Sequence, residues 1–392
     1  MTARSLDFAR TGPKTLAGQY LRKFWQPVYR SQDLPLGKMV PIQIMSERFT
    51  LYRGETGIPH VVAFRCAHRG TQLSTGWVEG DCVRCRYHGW KYDGSGQCVE
   101  QPGEDESNAA KVQIRSYPTK EYLGHIFTYL GEGETPPLRR FPDFERPGVV
   151  EAATPEIWPC NYFSRIENDP NHVPFVHRES LVRAGRTERL VSRKVSAEET
   201  EYGVRMGMSV PGEPPAYIHF HMPNVIQSRS RVRVEGSLED VKTLWADRYL
   251  MHVPIDDENN VTFIVDWIPV TGKEAERYQE RRLQARKSMS TSPNKIGEAI
   301  LAGKMRTEDM DKETPTYYSF WVEDYVTLVG QGPIAGRANE RLSQADIGLV
   351  FIRKVWEREL CALAEGLSLK QWTTPPGLAD QSVVLAPQQS ST

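Results

Sequence analysis

The feature that most constrains this chain is a pair of short segments in which a cysteine and a histidine lie close together. In the first segment Cys66 and His68 are separated by one residue, and in the second Cys85 and His88 are separated by two. A glycine follows each histidine within two residues, and glycine permits the tight turns that short ligand loops need. The pattern predicts two loops that present two thiolates and two imidazoles to one metal centre.

Two thiolates and two imidazoles suit a [2Fe–2S] cluster in which the cysteines bind one iron and the histidines bind the other. This division raises the reduction potential above that of an all-cysteine cluster and suits a one-electron relay. A structural zinc site is the alternative, because Cys82 and Cys85 form a second close pair and Cys98 could complete a ligand set. A zinc ribbon gives no reason for the histidine spacing, so we interpret Cys82 and Cys98 as packed thiols.

Nearly every position of the two loops resembles the Rieske domain of the bacterial Rieske non-haem iron oxygenases, in their large, catalytic subunit. The resemblance implies an enzyme with a Rieske [2Fe–2S] cluster, with O2 as co-substrate and NAD(P)H as the ultimate electron donor. The implied cluster ligands are Cys66, His68, Cys85 and His88.

Length and charge bound the remaining possibilities. A chain of 392 residues permits two domains. With 49 Lys and Arg against 50 Asp and Glu, the net charge is −1, so no global basic field would attract nucleic acid or an acidic membrane. The N-terminus lacks the apolar core of a secretory signal, and no apolar stretch is long enough to span a bilayer. Six cysteines do not resemble a disulfide framework. We therefore expect a soluble, cytoplasmic protein.

The pattern of short β-like runs and later helical signals predicts an α+β fold. Strand-like runs fill the region from Trp25 to Leu130, and a second β-rich section precedes two helices, over Lys273–Lys287 and Gln344–Glu365. The resemblance implies an all-β Rieske domain followed by a helix-grip catalytic domain, an antiparallel sheet with helices. The expected divisions are an N-terminal helical segment on the catalytic domain (1–24), the Rieske domain (25–135), the catalytic domain (145–374) and a poorly ordered tail (375–392).

A second candidate metal motif lies after the first domain, where Asp169, His172 and His177 follow the pattern D-x2-H-x4-H. Asn168 or Asp169 can cap a helix that starts at Pro170. Two histidines and one carboxylate on one face of Fe(II) leave positions open for oxygen. The resemblance implies that His172 and His177 bind a mononuclear Fe(II). It also implies that Asp169 hydrogen-bonds His172 and bridges to a Rieske histidine, His88, of a neighbouring subunit.

The carboxylate ligand is expected far downstream of the histidines. The segment around Asp324 resembles the part of the family that contributes this ligand, and Asp324 is our prediction. The other candidates are Glu323, Asp309, Asp311 and Asp346. The chain departs from the family pattern at Ile166, where relatives commonly carry asparagine, so Asn168 or Glu167 is the candidate replacement in the bridge.

The resemblance predicts the terminal oxygenase component of a multicomponent system, and more closely the α-only group that includes phthalate and phenoxybenzoate dioxygenases. The expected reaction is cis-dihydroxylation of a small aromatic substrate, such as a phthalate or phenoxybenzoate. The alternatives are a Rieske monooxygenase that removes O- or N-methyl groups and a non-catalytic Rieske electron carrier. No flavin or nicotinamide motif is found in the chain, so we expect a separate reductase, alone or with a ferredoxin. A homotrimer is also implied.

Substrate-contacting residues are harder to identify. Three arginines alternate along one predicted strand and so share a face; they could bind a substrate carboxylate, although a solvated strand face is the simpler interpretation. Two alternating histidines and three phenylalanines near the metal motifs are further candidates, with core packing as the alternative. These residues are Arg229, Arg231, Arg233, His219, His221, Phe163, Phe175 and Phe320.

Overall fold

An N-terminal β region is followed by a region that combines one large antiparallel sheet with helices, so the predicted α+β fold class is confirmed. The structure is a computed structural model. It describes residues 8–168, 173–183, 185, 187, 190–191, 193–210, 215–232, 244–288, 293–310, 316–334 and 340–382. None of the described helices is both long and apolar enough to cross a membrane.

Three small antiparallel sheets build the N-terminal region. The first sheet contains β1 (Trp25–Arg30), β11 (His125–Tyr129) and β10 (Thr119–Tyr122), in that order. The second contains β2 (Met39–Ile44), β3 (Glu47–Arg53), β4 (Pro59–Ala63) and β9 (Ser116–Tyr117). The third contains β5 (Trp77–Glu79), β6 (Cys82–Arg84), β7 (Lys91–Tyr92) and β8 (Cys98–Glu100).

A small apolar core lies between the second and third sheets, and it includes Tyr52, Val62, Leu73, Val83 and Tyr92. The two cysteine–histidine segments leave this core as loops, one after β4 and the other between β6 and β7. Both cysteines of these loops belong to the same buried cluster. The core therefore fixes the two loops relative to each other.

One eight-stranded antiparallel sheet forms the centre of the C-terminal region. Its order is β12-β19-β18-β17-β16-β15-β14, and β13 also pairs with β19. The strands are β12 (Val149–Ala152), β13 (Glu156–Trp158), β14 (Lys194–Glu199), β15 (Gly203–Ser209), β16 (Ala216–His221), β17 (Val225–Val232), β18 (Leu244–Pro254) and β19 (Asn260–Ile268). All nine residues of β19 are buried, as expected for a central strand with an almost continuous apolar run.

The described helices are short, except for three. They are α1 (Leu16–Arg22), α2 (Glu106–Ala109), α3 (Tyr162–Ile166), α4 (Val173–Val176), α5 (Arg178–Arg183), α6 (Gly272–Ser288), α7 (Pro293–Leu301), α8 (Thr316–Gly330), α9 (Ile347–Ala364) and α10 (Leu378–Gln381). The helices predicted over residues 273–287 and 344–365 correspond to α6 and α9. Residues 344–346 form a 3-10 turn before α9.

Helix α9 packs against β14 and β15 through the apolar stripe seen in the sequence. Leu349, Ile352, Trp356 and Leu360 are all buried. The helix ends at Ala364, and Gly366 just after it has a φ of +68°, in the left-handed region that glycine adopts without strain. Helix α1 lies against α9, so the segment before the first domain contacts the second.

Part of the predicted C-terminal tail is folded. Helix α10 buries Leu378 and Ala379, and the backbone N–H groups of Gly377 and Ala379 donate to the carboxylate of Asp143 at 2.6 and 2.8 Å. The prediction of a poorly ordered segment from residue 375 is therefore too long. A buried carboxylate that accepts two backbone N–H groups accounts for the order of this segment.

Candidate metal centres

The two cysteine–histidine loops have the same backbone hydrogen bonds. In each loop the cysteine N–H donates to the carbonyl five residues later at 2.8 Å, and the glycine N–H four residues later donates to the cysteine carbonyl at 3.0 Å. These glycines, Gly70 and Gly89, have φ values of +75° and +73°, which disfavour residues with a Cβ atom. Two sequence-distant loops therefore present their cysteines in one geometry.

The four predicted cluster ligands are arranged as two pairs. Cys66 and Cys85 are buried, 3% and 2% exposed. His68 and His88 are exposed, and their ring centroids lie 4.5 Å apart. Such an arrangement fits a cluster in which one iron is held by two sulfurs and the other by two imidazoles.

A single-ion site receives less support. Among the described residues, no three His, Cys, Asp or Glu side chains converge as ligands of one metal ion. This applies to the zinc alternative built from Cys82, Cys85 and Cys98, all of which are described. The Cys98 Sγ instead donates to the carbonyl of Glu100 at 3.5 Å, as a packed thiol would.

Neighbouring side chains fit both ligand pairs. The Trp90 ring stacks on His68 with a centroid distance of 4.6 Å and an interplanar angle of 8°. Burial raises the pKa of Cys85, while the backbone N–H groups of Tyr87 and His88 oppose that rise. Those N–H groups would favour the thiolate that binds iron. The pKa of His88 is lowered by desolvation and by His68, which favours the neutral imidazole required of a ligand.

The Tyr92 hydroxyl forms a hydrogen bond with a predicted cluster ligand. Its oxygen lies 3.2 Å from the Cys66 Sγ and accepts the Ala67 N–H, also at 3.2 Å. A Cys66 thiolate that binds iron can only accept, so in the cluster-bound protein the Tyr92 hydroxyl would be the donor. Hydrogen bonds to ligand sulfurs favour the reduced, more negative state of an iron–sulfur cluster.

We expect Tyr92→Phe to lower the reduction potential of the cluster by several tens of millivolts. A hydrogen bond to a charged group contributes about 1.5–3 kcal/mol, and about 59 mV corresponds to a tenfold change for a one-electron couple. Redox titration of the purified protein measures the change. Tyr52→Phe is the matched control, because its hydroxyl donates to the carbonyl of Asp81 in the same core. An equal shift in both variants would contradict the prediction.

The second candidate site lies where the α4–α5 segment meets α8. His177 falls between α4 and α5, so the helical path is interrupted at this residue. The His177 Nε2 lies 3.4 Å from the Asp324 Oδ1, and its ring packs on Phe320 with a centroid distance of 4.6 Å. A histidine nitrogen and a carboxylate oxygen therefore face each other across two elements.

Glu323 occupies the other side of the His177 ring. Its Oε2 lies 3.2 Å from the His177 Nδ1. The same carboxylate accepts the Ser180 N–H at 3.0 Å and the Ser180 hydroxyl at 2.6 Å. The Glu323 side chain is 2% exposed, whereas that of Asp324 is 24% exposed. The two adjacent carboxylates thus have different environments. Glu323 is held by protein donors, and Asp324 faces the His177 Nε2, the ring nitrogen that is left to bind a metal ion.

The other carboxylate candidates serve local structure. Asp309 is exposed and forms an ion pair with Arg306 at 3.2 Å. Asp346 accepts the N–H and hydroxyl of Ser343 at 2.6 and 2.9 Å. Three predicted or alternative site residues lie outside the described part of the chain: Asp169, His172 and Asp311.

Asn168 is the residue before this gap that reaches the site. Its Nδ2 donates to the Asp324 Oδ1 at 3.3 Å. Glu167 turns away and forms a two-pronged ion pair with Arg353 of α9, and Ile166 is buried in the core. Of the two candidate replacements for the missing asparagine, Asn168 contacts the predicted ligand Asp324.

Of the three arginines predicted to share a strand face, Arg229 on β17 is described and takes part in ion pairing. The Arg229 Nε donates at 2.6 Å to Asp247, a fully buried carboxylate that also pairs with Arg146. The side chains of Arg231 and Arg233 lie outside what the structure describes.

The remaining candidates fall into two groups. His219 and His221 are buried and bound to Tyr202 and Gln227, in agreement with a structural role. Phe163 is a core residue, Phe175 is 67% exposed, and Phe320 packs on the predicted ligand His177. Sequence reasoning missed Ser180, which only its three-dimensional contact with Glu323 distinguishes.

Comparison with known proteins gives consistent matches. The Rieske [2Fe-2S] domain family matches residues 24–118. The chain is 25% identical to the 5,5'-dehydrodivanillate O-demethylase oxygenase subunit of Sphingobium sp. (strain NBRC 103272 / SYK-6), over 94% of this chain and 82% of that protein. It is also 25% identical to the phenoxybenzoate dioxygenase subunit alpha of Ectopseudomonas oleovorans, over 90% and 83%.

A similar fold occurs in a solved structure, the terminal oxygenase of carbazole 1,9a-dioxygenase from Nocardioides aromaticivorans IC177. The TM-score is 0.64 at 19% identity, and the match covers 91% of this chain and 97% of that one.

Proposed function

We propose that this chain is the terminal oxygenase of a multicomponent system acting on an aromatic substrate. The premise is that the chain belongs to the Rieske non-haem iron oxygenase alpha subunits, which are oxidoreductases that use O2. The observation that carries the proposal is the pairing of His177 with Asp324 at 3.4 Å in a chain that also has the two Rieske loops. An electron carrier would need only the loops.

The proposed ligands of the cluster are Cys66, His68, Cys85 and His88, and those of a mononuclear Fe(II) are His172, His177 and Asp324. When bound, the cluster supplies electrons singly and the iron supplies open coordination positions for O2. The donor set fits this iron, since imidazole and carboxylate are its preferred protein ligands in oxygenases.

The protein's own contribution at this site is to orient the ligands. Glu323 accepts a hydrogen bond from the His177 Nδ1–H, which leaves the lone pair of Nε2 directed towards Asp324. Ser180 holds Glu323 in place through two donors. Asn168 donates to one Asp324 oxygen and limits its rotation. We assign Glu323 as a positioning residue and Asp324 as the ligand.

We expect Glu323→Ala to weaken Fe(II) binding about 10–100-fold, as removal of carboxylate partners of metal histidines commonly does. Glu323→Gln retains an acceptor for the Ser180 donors and should weaken binding less. Competition with a chelator for Fe(II) measures both. Asp309→Asn is the control, because this exposed carboxylate interacts with the Arg306 side chain and backbone N–H in a local turn. Unchanged affinity in Glu323→Ala would contradict the positioning role.

We also propose a homotrimer in which the cluster of one subunit lies beside the mononuclear site of the next. The exposure of His68 and His88 supports contact with another protein surface. In this arrangement Asp169 would hydrogen-bond His172 and reach His88 of the partner subunit. A head-to-tail interface closes into a ring only at a fixed copy number, and a solution mass of three chains would test it.

The reaction that we propose is cis-dihydroxylation of an aromatic acid, with electrons from a separate NAD(P)H-dependent reductase, alone or with a ferredoxin. The phenoxybenzoate dioxygenase relative supports this choice. O-demethylation of a methoxylated arene is the second candidate, favoured by the O-demethylase relative that aligns over 94% of this chain.

A single turnover tests the proposal without the native reductase. Fully reduced protein is mixed with O2 and one of a panel comprising phthalate, phenoxybenzoate, methoxybenzoate and neutral arenes, and products are identified by mass. A dihydroxylated product is expected; a demethylated product would support the second candidate instead. Protein that contains both metal centres and oxidises no panel member would contradict an arene oxygenase of these classes.

A further inference from the structure

Arg248 and Asp266 form a cross-strand pair in the middle of the large sheet. They lie directly opposite each other on β18 and β19. The Arg248 Nε donates to the Asp266 Oδ1 at 2.7 Å, and Nη2 donates to Oδ2 at 3.0 Å. Two parallel bonds to one carboxylate fix the guanidinium plane and leave Nη1 at the outer edge.

This pair lies on the sheet face that carries α8. Thr262 and Asp266 are four residues apart on β19, so their side chains lie on the same face of the sheet. Glu156 of β13 pairs with Thr262 and therefore also lies on that face. Two residues along β13, Trp158 packs against Tyr325 of α8 with a ring-centroid distance of 5.2 Å. The helix that bears Asp324 therefore covers the same face as Arg248.

Glu156 interacts electrostatically with both Arg248 and Asp324. Burial raises the pKa of Glu156 to about 7, the charge of Asp324 adds to the rise, and Arg165 and Arg248 oppose it. Glu156 is thus within electrostatic range of both Arg248 and Asp324. Side chains separated by more than about 10 Å of solvent would be largely screened from each other.

Arg248 keeps accessible surface in this enclosed position. Desolvation is the strongest single influence on its pKa, although Asp266 and Glu156 outweigh it and raise the pKa. Even so, 33% of the side chain is exposed, against 4% for Asp266. Nη1 has no hydrogen-bond partner among the described residues, and it is not one of the buried unsatisfied atoms. Nη1 therefore keeps solvent-accessible surface and a free donor for a ligand.

We propose that Arg248 binds the carboxylate of an aromatic acid substrate through Nη1, with Asp266 holding the guanidinium in position. This inference rests on the proposed function and names the residue that would bind the carboxylate of its substrate. A guanidinium fixed by two bonds binds a carboxylate with little further loss of side-chain freedom.

The other arginines near this sheet are less suited to the role. Arg165 is 7% exposed, donates to Glu156 at 3.0 Å and stacks over Trp158 at 3.6 Å. Arg229 pairs with Asp247, and because residues 247 and 248 are consecutive on β18 they point to opposite faces. Arg229 is therefore a matched control: a paired arginine on the same sheet but on the other face.

The test compares acids with their neutral amides. Binding of benzoate and benzamide, 4-methoxybenzoate and its amide, and 3-phenoxybenzoate and its amide to the anaerobic holoenzyme is measured by calorimetry. For at least one pair we expect the wild type to bind the acid about 10–100-fold more tightly, as hydrogen bonds to a charged group allow. Arg248→Gln should abolish this preference and Arg229→Gln should retain it.

Two results would overturn the inference: no pair shows an acid preference in the wild type, or the preference survives in Arg248→Gln. Removing Arg248 leaves Asp266 buried without its partner, which can impair folding. The double variant Arg248→Gln/Asp266→Asn removes both charges and is measured alongside, with the cluster spectrum as the check on folding. If the proposed function itself fails, the wild type oxidises no panel member; if only this inference fails, Arg248→Gln still oxidises the acids as the wild type does.

Discussion

Replacement of Asp324 by alanine is expected to remove the mononuclear iron while the [2Fe–2S] cluster remains. The variant loses the proposed carboxylate ligand, and the partner of the His177 Nε2 at 3.4 Å disappears with it. Because a bound metal contributes several kcal/mol to transition-state stabilisation, we expect oxygenation to fall by at least about a thousandfold. Iron analysis and the visible spectrum of the cluster, measured on the same sample, separate the two centres.

Two further variants show whether the effect is specific to Asp324. Asp346→Asn removes a carboxylate that caps a local turn, so it should retain both centres. Glu323→Gln should retain most of the mononuclear iron if Glu323 only orients His177. Retention of that iron in Asp324→Ala, together with its loss in Glu323→Gln, would exchange the roles of the two neighbours.

Cys85→Ala is expected to abolish the [2Fe–2S] cluster and, with it, all reductase-driven turnover. The side chain is buried in the small core between two sheets, so the loss of a ligand there cannot be replaced by solvent at the same position. Metal-bound ligands couple binding to folding, and we therefore also expect the N-terminal region to unfold at lower temperature. Loss of the visible absorption bands and a thermal unfolding curve measure the two effects.

Cys98→Ala is the matched control for this experiment. Cys98 lies in the same buried cluster, and its Sγ donates to a backbone carbonyl. A [2Fe–2S] site held by Cys66, His68, Cys85 and His88 should survive this change. A zinc site that uses Cys82, Cys85 and Cys98 would lose its metal in both variants, so equal loss would contradict the cluster assignment.

Local patterns were enough to predict much of this fold. The four predicted cluster ligands lie within two short loops, and the geometry of each loop depends on its own backbone hydrogen bonds and on one glycine. The core stripe of α9 and the glycine after it also follow from neighbouring residues. Such features can be predicted because the residues that determine them are close together in sequence.

The tertiary structure was needed wherever neighbours in sequence point in different directions. Glu323 and Asp324 are about 100° apart around α8, and the sequence does not say which of them faces the His177 Nε2; the packing of α8 against the α4–α5 segment decides it. On β18, Asp247 and Arg248 point to opposite faces, and only the helices packed on the sheet show which face carries the site. The sequence by itself determined the ligand loops and the main elements, because those depend on local geometry. The orientation of each element against its neighbours, which depends on contacts between residues more than a hundred positions apart, was decided by the tertiary structure alone.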